Sequence, residues 1–285
     1  MIENIQNLIR LKKCVEERRP LIHCITNPIS IHDCANVVLA AGGRPIMAEH
    51  PREVSQITKT SQALMLNLGN ITDVRMESMK KSLLTANEEK IPVLLDLVGV
   101  SCSDMRREYA KELLRMGHIS VLKGNMSEIL TMAGEESHSV GIDAGAEDAL
   151  TSGNLKRVVS CFREFAQRNK AVILASGKAD LIVSEDLAFL VENGNEMMSE
   201  ITGTGCMLGA LSSTFLAGTK KEEEKDENSI DTVYAVLLGT IIMGIAGEMA
   251  SEISHGPGTF QISFLDALYR MEEDKIIQRG KIRSI

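Results

Sequence analysis

The chain of 285 residues has no tryptophan, three tyrosines and six phenylalanines, so aromatics make up only 3% of it. Few side chains are available to stack on bases, and a formal charge of −8 leaves no electrostatic footprint for a nucleic-acid backbone. Nucleic acid is therefore not an expected partner, and any polyanion must be met by local dipoles and a few cations. Cysteine is sparse as well. The six thiols at positions 14, 24, 34, 102, 161 and 206 form no CxxC pair. They make no disulfide framework and point to reduced thiols in the cytoplasm. The six histidines show neither HExxH nor an i,i+4 pair, which argues against a zinc site. One long uncharged run, Thr232–Gly247, contains Gly239, Thr240 and Gly244. It falls short of the roughly 20 residues that a bilayer span needs, so a buried core helix and no membrane partner are expected. Met1-Ile2-Glu3-Asn4 lacks a basic segment followed by an apolar one, so no signal peptide is expected.

What is present is an ordinary globular balance, 44% hydrophobic and 25% charged. Short apolar runs at Leu21–Ile25, Pro45–Met47, Ala63–Asn67, Val93–Leu97, Ile119–Lys123 and Val172–Ala175 read as strands covered on both faces. Between them lie helical patterns at His32–Ala41, Pro51–Thr60, Thr72–Glu89, Asp104–Met116, Ser127–Ala133 and Ser152–Asn169. That alternation predicts an α/β fold with a mostly parallel central sheet flanked by helices, built with right-handed crossovers. Leu181–Val183 and Leu187–Val191 flank Ser184-Glu185-Asp186 and predict an antiparallel edge hairpin. The C-terminal part reads as helices over Cys206–Ala217, Ile230–Ser254 and Thr259–Met271. The mixed-charge run Thr219–Asn228 reads as a solvated surface connector, and nothing suggests a cut, so a single domain over 1–285 is expected.

In open α/β sheets ligands gather at the carboxyl ends of the strands, and four segments there carry polar chemistry. Ile201-Thr202-Gly203-Thr204-Gly205-Cys206-Met207-Leu208-Gly209 places two glycines before a helix whose first turn has free N–H groups and a positive dipole end. This is a candidate anion cradle formed by Gly203, Thr204 and Gly205. Its spacing is not a dinucleotide fingerprint, no Walker loop is present, and a glycine-rich helix entry without a ligand is the plainer alternative. Cys206 lies in that first turn, where a helix N-terminus lowers a thiol pKa and makes a weak base; a small buried apolar role is the alternative. In Val121-Leu122-Lys123-Gly124-Asn125-Met126-Ser127-Glu128, Lys123 suits a phosphate, and Asn125 and Glu128 suit Mg²⁺ through waters. The same residues also spell a capping box, and both readings can hold together. Asp96 in Leu94-Leu95-Asp96-Leu97-Val98-Gly99 ends a buried strand, which demands either a partner or a metal. Thr26 and Asn27 close the first strand, Met47 ends the second, and Ser176-Gly177 follows the sixth. Each has a ligand-free alternative as a turn former or as core.

Taken together, His23-Cys24-Ile25-Thr26-Asn27, Lys123-Gly124-Asn125 with Glu128, Ser176-Gly177, Ile201 to Ala210 and Phe264-Leu265-Asp266-Ala267-Leu268-Tyr269 resemble the hydroxyethylthiazole kinases of the ribokinase-like superfamily, over nearly the whole chain. The glycine segment is the most specific, because superfamily relatives usually carry Asp where Cys206 stands. The resemblance implies a three-layer ribokinase-like sandwich. It also implies ATP- and Mg²⁺-dependent phosphorylation of the primary hydroxyl of 4-methyl-5-(2-hydroxyethyl)thiazole for thiamine salvage, and a homotrimer with sites between subunits. By motif, Met47, Gly203, Asn27 and Cys206 would contact the thiazole alcohol, and Lys123, Ser176 and Asn125 would contact ATP. Cys206 would stand at the catalytic position with Gly203, Thr204 and Gly205, while Asp96 and Glu128 would serve the metal. Two departures stand out. Leu97 replaces the family proline, removing a fixed φ and adding an N–H, and Lys123 stands where Arg is also common. Other kinases of the superfamily, a hydro-lyase repairing hydrated nicotinamide cofactors and a non-catalytic nucleotide-binding module are the competing readings. The Gly-Thr-Gly-Cys segment and the intact carboxylates argue against the last two.

Overall fold

The computed structural model describes residues 2–139, 141, 144, 145, 148–219 and 228–285. The six apolar runs form parallel strands: β1 (Leu21–Ile25), β2 (Arg44–Ile46), β3 (Ala63–Asn67), β4 (Val93–Asp96), β5 (Val121–Asn125) and β6 (Val172–Ser176). The expected hairpin is β7 (Asp180–Val183), antiparallel to β6, with β8 (Ala188–Val191), antiparallel to β7. A ninth strand, β9 (Ile282–Ser284), pairs antiparallel with β8 and completes the order β2-β1-β3-β4-β5-β6-β7-β8-β9. The mostly parallel sheet with an antiparallel edge is therefore as anticipated. β9 was not, because three residues after a charged helix carry no strand period.

Successive side chains of a strand point to opposite faces, and this splits the apolar residues into two cores. Ala63 and Met65 of β3 and Leu94 of β4 join one core; Leu64 and Leu66 of β3 with Val93 and Leu95 of β4 join the other. The first core is closed by α1 (Ile2–Arg18), α2 (Ile31–Ala40), α8 (Thr204–Leu216), α9 (Asn228–Ser251) and α10 (Pro257–Tyr269). The second is closed by α4 (Asp73–Glu88), α5 (Asp104–Met116), α6 (Met126–Ala133) and α7 (Leu155–Asn169). Two short helices, α3 (Val54–Thr60) and α11 (Glu273–Arg279), complete the set. The result is three layers, helix on sheet on helix. α1 was not anticipated, although Leu8, Leu11 and Val15 recur at helical spacing and are buried on one face. By length and composition alone, Asp231–Ser251 is apolar enough to cross a membrane. Nearly all of it is buried inside the protein, as the core-helix reading required. Lys220–Glu227 of the expected connector lie outside the described residues.

Two local details aim the site. His23 is fully buried in β1, with Nε2 2.9 Å from the Ala48 carbonyl and Nδ1 2.9 Å from Thr58 Oγ1. A carbonyl only accepts, so Nε2 carries the proton and Nδ1 accepts from the threonine. Burial pulls the pKa of His23 below the usual range, and the neutral ring pins the segment after β2 to α3. The N–H of Leu97, which a proline at this position would lack, is not left unpaired. It donates to the Lys123 carbonyl at 2.8 Å and extends the β4–β5 pairing by one residue. The turn that follows is held by Gly99 at φ +80 and by the Arg106 guanidinium, which donates to the Val98 carbonyl at 3.1 Å. Hydrogen bonds hold this turn without a proline.

Candidate active site

Parallel strands deliver their carboxyl ends to one edge of the sheet, and α8 starts over that edge. Asp96 ends β4 with no exposed surface, and its Oδ1 accepts from Lys123 Nζ of β5 at 3.0 Å. Lys123 is itself 3% exposed. Burial acts against its charge, but the Asp96 carboxylate beside it outweighs that and holds the ammonium above its usual range. Burial likewise lifts Asp96, with Lys123 and Asn67 pulling the other way. Removing one member of such a pair strands the other as a buried charge.

Gly203 is the left-handed residue at the start of α8, with φ +83. A Cβ there would stand 3.0 Å from Ser30 Cβ, so the turn lies tight on the entry to α2. A Cβ on Gly205 would stand 3.2 Å from Lys123 Nζ, so the ammonium lies directly under the first turn of α8. Thr204 points elsewhere: its hydroxyl donates to the Met198 carbonyl at 3.1 Å and anchors the turn. The segment thus joins free helix N–H groups, glycine backbone and a buried cation, which suits an anion.

Cys206 is 8% exposed and faces two amides. Asn27 Nδ2 donates to its Sγ at 3.1 Å and Asn67 Nδ2 at 3.3 Å. The helix dipole alone lowers a thiol pKa; here burial, then the charge of Asp96, push it up despite Lys123, Ser30 and Asn67. The thiol is therefore neutral at pH 7, a correction to the expected weak base. Cys206 also packs in the core beneath α8, but amide N–H groups aim at its sulfur, so it is more than an apolar filler.

Asn125, Glu128 and Ser176 form a second group one and two strands away. Asn125 caps α6 through Glu128 N at 2.9 Å, and Glu128 Oε2 accepts from Asn125 N at 2.7 Å, the reciprocal capping box. Glu128 Oε1 accepts from Gly99 N at 2.7 Å. Burial raises its pKa to about 7 against those amides and Lys123. Ser176 lies opposite Asn125 in the β5–β6 register and donates to the Gly124 carbonyl at 3.3 Å. Met47 follows the edge strand β2, half-buried against the core beneath α8. Asn27 thus contacts Cys206 and Lys123 contacts Asp96, the two pairs being linked through Asn67; the capping-box pair and Ser176 line the neighbouring strand ends, and Met47 stands at the sheet's far edge.

Two residues went unread in the sequence. Asn67 ends β3 and bridges Asp96, Cys206 and Asn27; a polar residue closing an apolar run was its signal. Gly69 donates to Asn67 Oδ1 at 2.9 Å, and a Cβ there would press on both asparagines. A cavity of about 710 Å³ opens at the opposite, amino ends of the strands, lined among others by Pro20, Gln62, Pro92, Ser120 and Ala171. It shares no residue with the constellation above.

Known proteins with this arrangement agree with one another. The model of the hydroxyethylthiazole kinase family matches residues 11–274. Hydroxyethylthiazole kinase 2 of Clostridium botulinum strain Hall is 44% identical over 277 residues, covering 97% of this chain and 100% of that protein. The solved structure of the hydroxyethylthiazole kinase protein from Pyrococcus horikoshii OT3 superposes with a TM-score of 0.84 at 31% identity and full coverage of both chains. A ribokinase-like superfamily protein from Enterococcus faecalis V583 has a TM-score of 0.55 at 13% identity, covering 90% of this chain and 93% of its own, which shows the shared fold.

Proposed function

The chain belongs to the hydroxyethylthiazole kinase family, and from that premise we propose how its own residues carry out the transfer. The protein is a kinase that phosphorylates the thiazole alcohol with ATP as phosphoryl donor, a step in thiamine salvage. Phosphoryl transfer asks the protein for positioning and charge neutralisation more than for covalent chemistry. The backbone amides of Gly203 to Cys206 receive the charge that develops on the γ-phosphoryl oxygens, and Lys123 beneath them neutralises a further oxygen. The observation that carries this reading is the buried ammonium 3.2 Å from where a Gly205 Cβ would be: a cation placed directly under a glycine turn that opens a helix.

The alcohol is placed against Cys206, with Asn27 and Met47 on the thiazole side, and attacks in line. A neutral thiol whose sulfur already accepts two amide N–H groups orients the hydroxyl rather than deprotonating it, and in a loose transition state the proton leaves late. ATP lies across Lys123, Asn125 and Ser176. Asp96 and Glu128 are oxygen donors of the kind Mg²⁺ prefers. Among the described residues no three His, Cys, Asp or Glu cluster. Both Glu128 oxygens already accept a backbone N–H. Both Asp96 oxygens likewise accept, from Lys123 and Asn67, so that donor set fits an ion completed by phosphate oxygens and water, with both carboxylates acting through water. Mg²⁺, when bound there, neutralises phosphate charge.

The enzyme is further read as a cytoplasmic homotrimer with sites between subunits and one domain over 1–285. Ile29, Ile253, Ile262 and Tyr269 support the association: they are 60 to 76% exposed, and Ile29 is two residues from Asn27. Sedimentation of the purified chain at the monomer mass would remove that part. The central test is ATP consumption with and without the thiazole alcohol. Turnover that requires the alcohol is expected; turnover indifferent to it, with hydrated NADH repaired instead, would point to the hydro-lyase reading. For the thiol, Cys206→Asp keeps or raises kcat, because a carboxylate accepts the same two amides. A fall of about a thousandfold, roughly 4 kcal/mol, would show that the thiol's shape and not its acceptor character matters.

A further inference from the structure

We propose that Asn67 is a positioning residue of this kinase, holding the Cys206 thiol and the Asp96 carboxylate in one fixed arrangement; this rests on the placement of Cys206 and Asp96 in the active site given above. Its amide is fixed in orientation. Oδ1 accepts from the Gly69 N–H at 2.9 Å, so Nδ2 must face the other way. There it donates to Asp96 Oδ2 at 2.8 Å and to Cys206 Sγ at 3.3 Å, using both of its N–H groups. Asn27 is fixed by the same logic, because its Oδ1 accepts from Ile29 N at 3.1 Å and Ser30 N at 3.2 Å. Its Nδ2 therefore faces Cys206 Sγ at 3.1 Å and Asn67 Oδ1 at 3.3 Å.

Two consequences follow. Both acceptor directions of the sulfur are occupied by amides, so the position of the sulfur beside the alcohol is set by Asn67 and Asn27. The carboxylate of Asp96 is gripped on both sides, Oδ1 by Lys123 and Oδ2 by Asn67, so it cannot rotate. Asn67 has no exposed surface, so it acts through its neighbours. Gly69 is part of the device: a side chain there would stand 2.8 Å from Asn27 Nδ2 and 2.9 Å from Asn67 Oδ1 and would break the orientation of both amides.

Asn67→Ser tests this, since a hydroxyl can still pair with the Gly69 N–H but carries no second donor for the sulfur. Asn67→Leu, of similar volume and without any donor, is the companion if the serine variant is too unstable. Positioning predicts that kcat falls about 10- to 100-fold, the size of effect expected when reacting groups lose their alignment, while KM for ATP and for the thiazole alcohol stays within about threefold. It also predicts coupling: in a Cys206→Ala background the Asn67 substitution lowers kcat by much less than in the wild type. Wild-type kcat in either variant, or an effect that multiplies unchanged onto Cys206→Ala, would overturn the proposal. Full activity of Cys206→Ala by itself would instead show that the placement of Cys206 is at fault.

Discussion

Gly203→Val lowers kcat about a thousandfold, the loss expected when backbone donors to a transferring group are removed, while the protein still folds. The two halves of this expectation have different causes. Gly203 sits at φ +83, where an L residue is strained by roughly 1–2 kcal/mol and a β-branched one by more. Its Cβ would meet Ser30 Cβ at 3.0 Å, a contact that α2 can relieve only by shifting. That strain is confined to one turn and leaves both hydrophobic cores untouched, so the fold survives. The turn itself, however, opens or reorients, and the amides from Gly203 to Cys206 no longer converge over Lys123. Circular dichroism and a melting curve separate the fold from the chemistry. Unchanged kcat in a folded variant would remove the glycine cradle from the mechanism.

Asp96→Asn has a comparable effect on rate and a larger one on stability. The substitution is isosteric but removes the charge that holds Lys123 as an ammonium in a site where it is 3% exposed. Breaking a buried pair in this way costs about 3–5 kcal/mol, because the surviving charge has no solvent and no partner. The carboxylate also leaves the proposed metal set, so kcat falls at least a thousandfold, a barrier increase of about 4 kcal/mol. Lys123→Met separates the two contributions: it leaves Asp96 present but unpaired, and it should lose stability to a similar degree. The double variant Asp96→Asn with Lys123→Met recovers part of that stability, because no unpaired charge remains, and none of the rate. A double variant as unstable as the sum of the two singles would show that the two charges do not act as a pair.

Much of this chain was legible from local pattern. β1 and β3 and the helix Asp104–Met116 have the boundaries read from the residues, because a continuous apolar run between polar turns specifies a strand covered on both faces. The glycine pair before Cys206, and the capping box at Asn125 and Glu128, were equally local: each is a helix start whose chemistry is written within a few residues. α1 carried a readable period at Leu8, Leu11 and Val15 and went unread all the same.

Only the assembled sheet decided the rest. That Asp96 would find Lys123 rather than solvent depends on β4 and β5 being neighbours in register, Asp96 opposite Lys123. That Asn67 would reach Asp96 depends likewise on β3 pairing with β4. The direction of the Cys206 pKa was settled by the same convergence, since the local helix end favours a thiolate and the surroundings assembled from four strands and α8 disfavour one. Pattern in a chain determines what each short stretch can become, because backbone geometry and the removal of apolar surface from water act over a few residues. Which polar side chains meet at the strand ends depends on pairings between residues tens of positions apart, and those exist only once the sheet has formed.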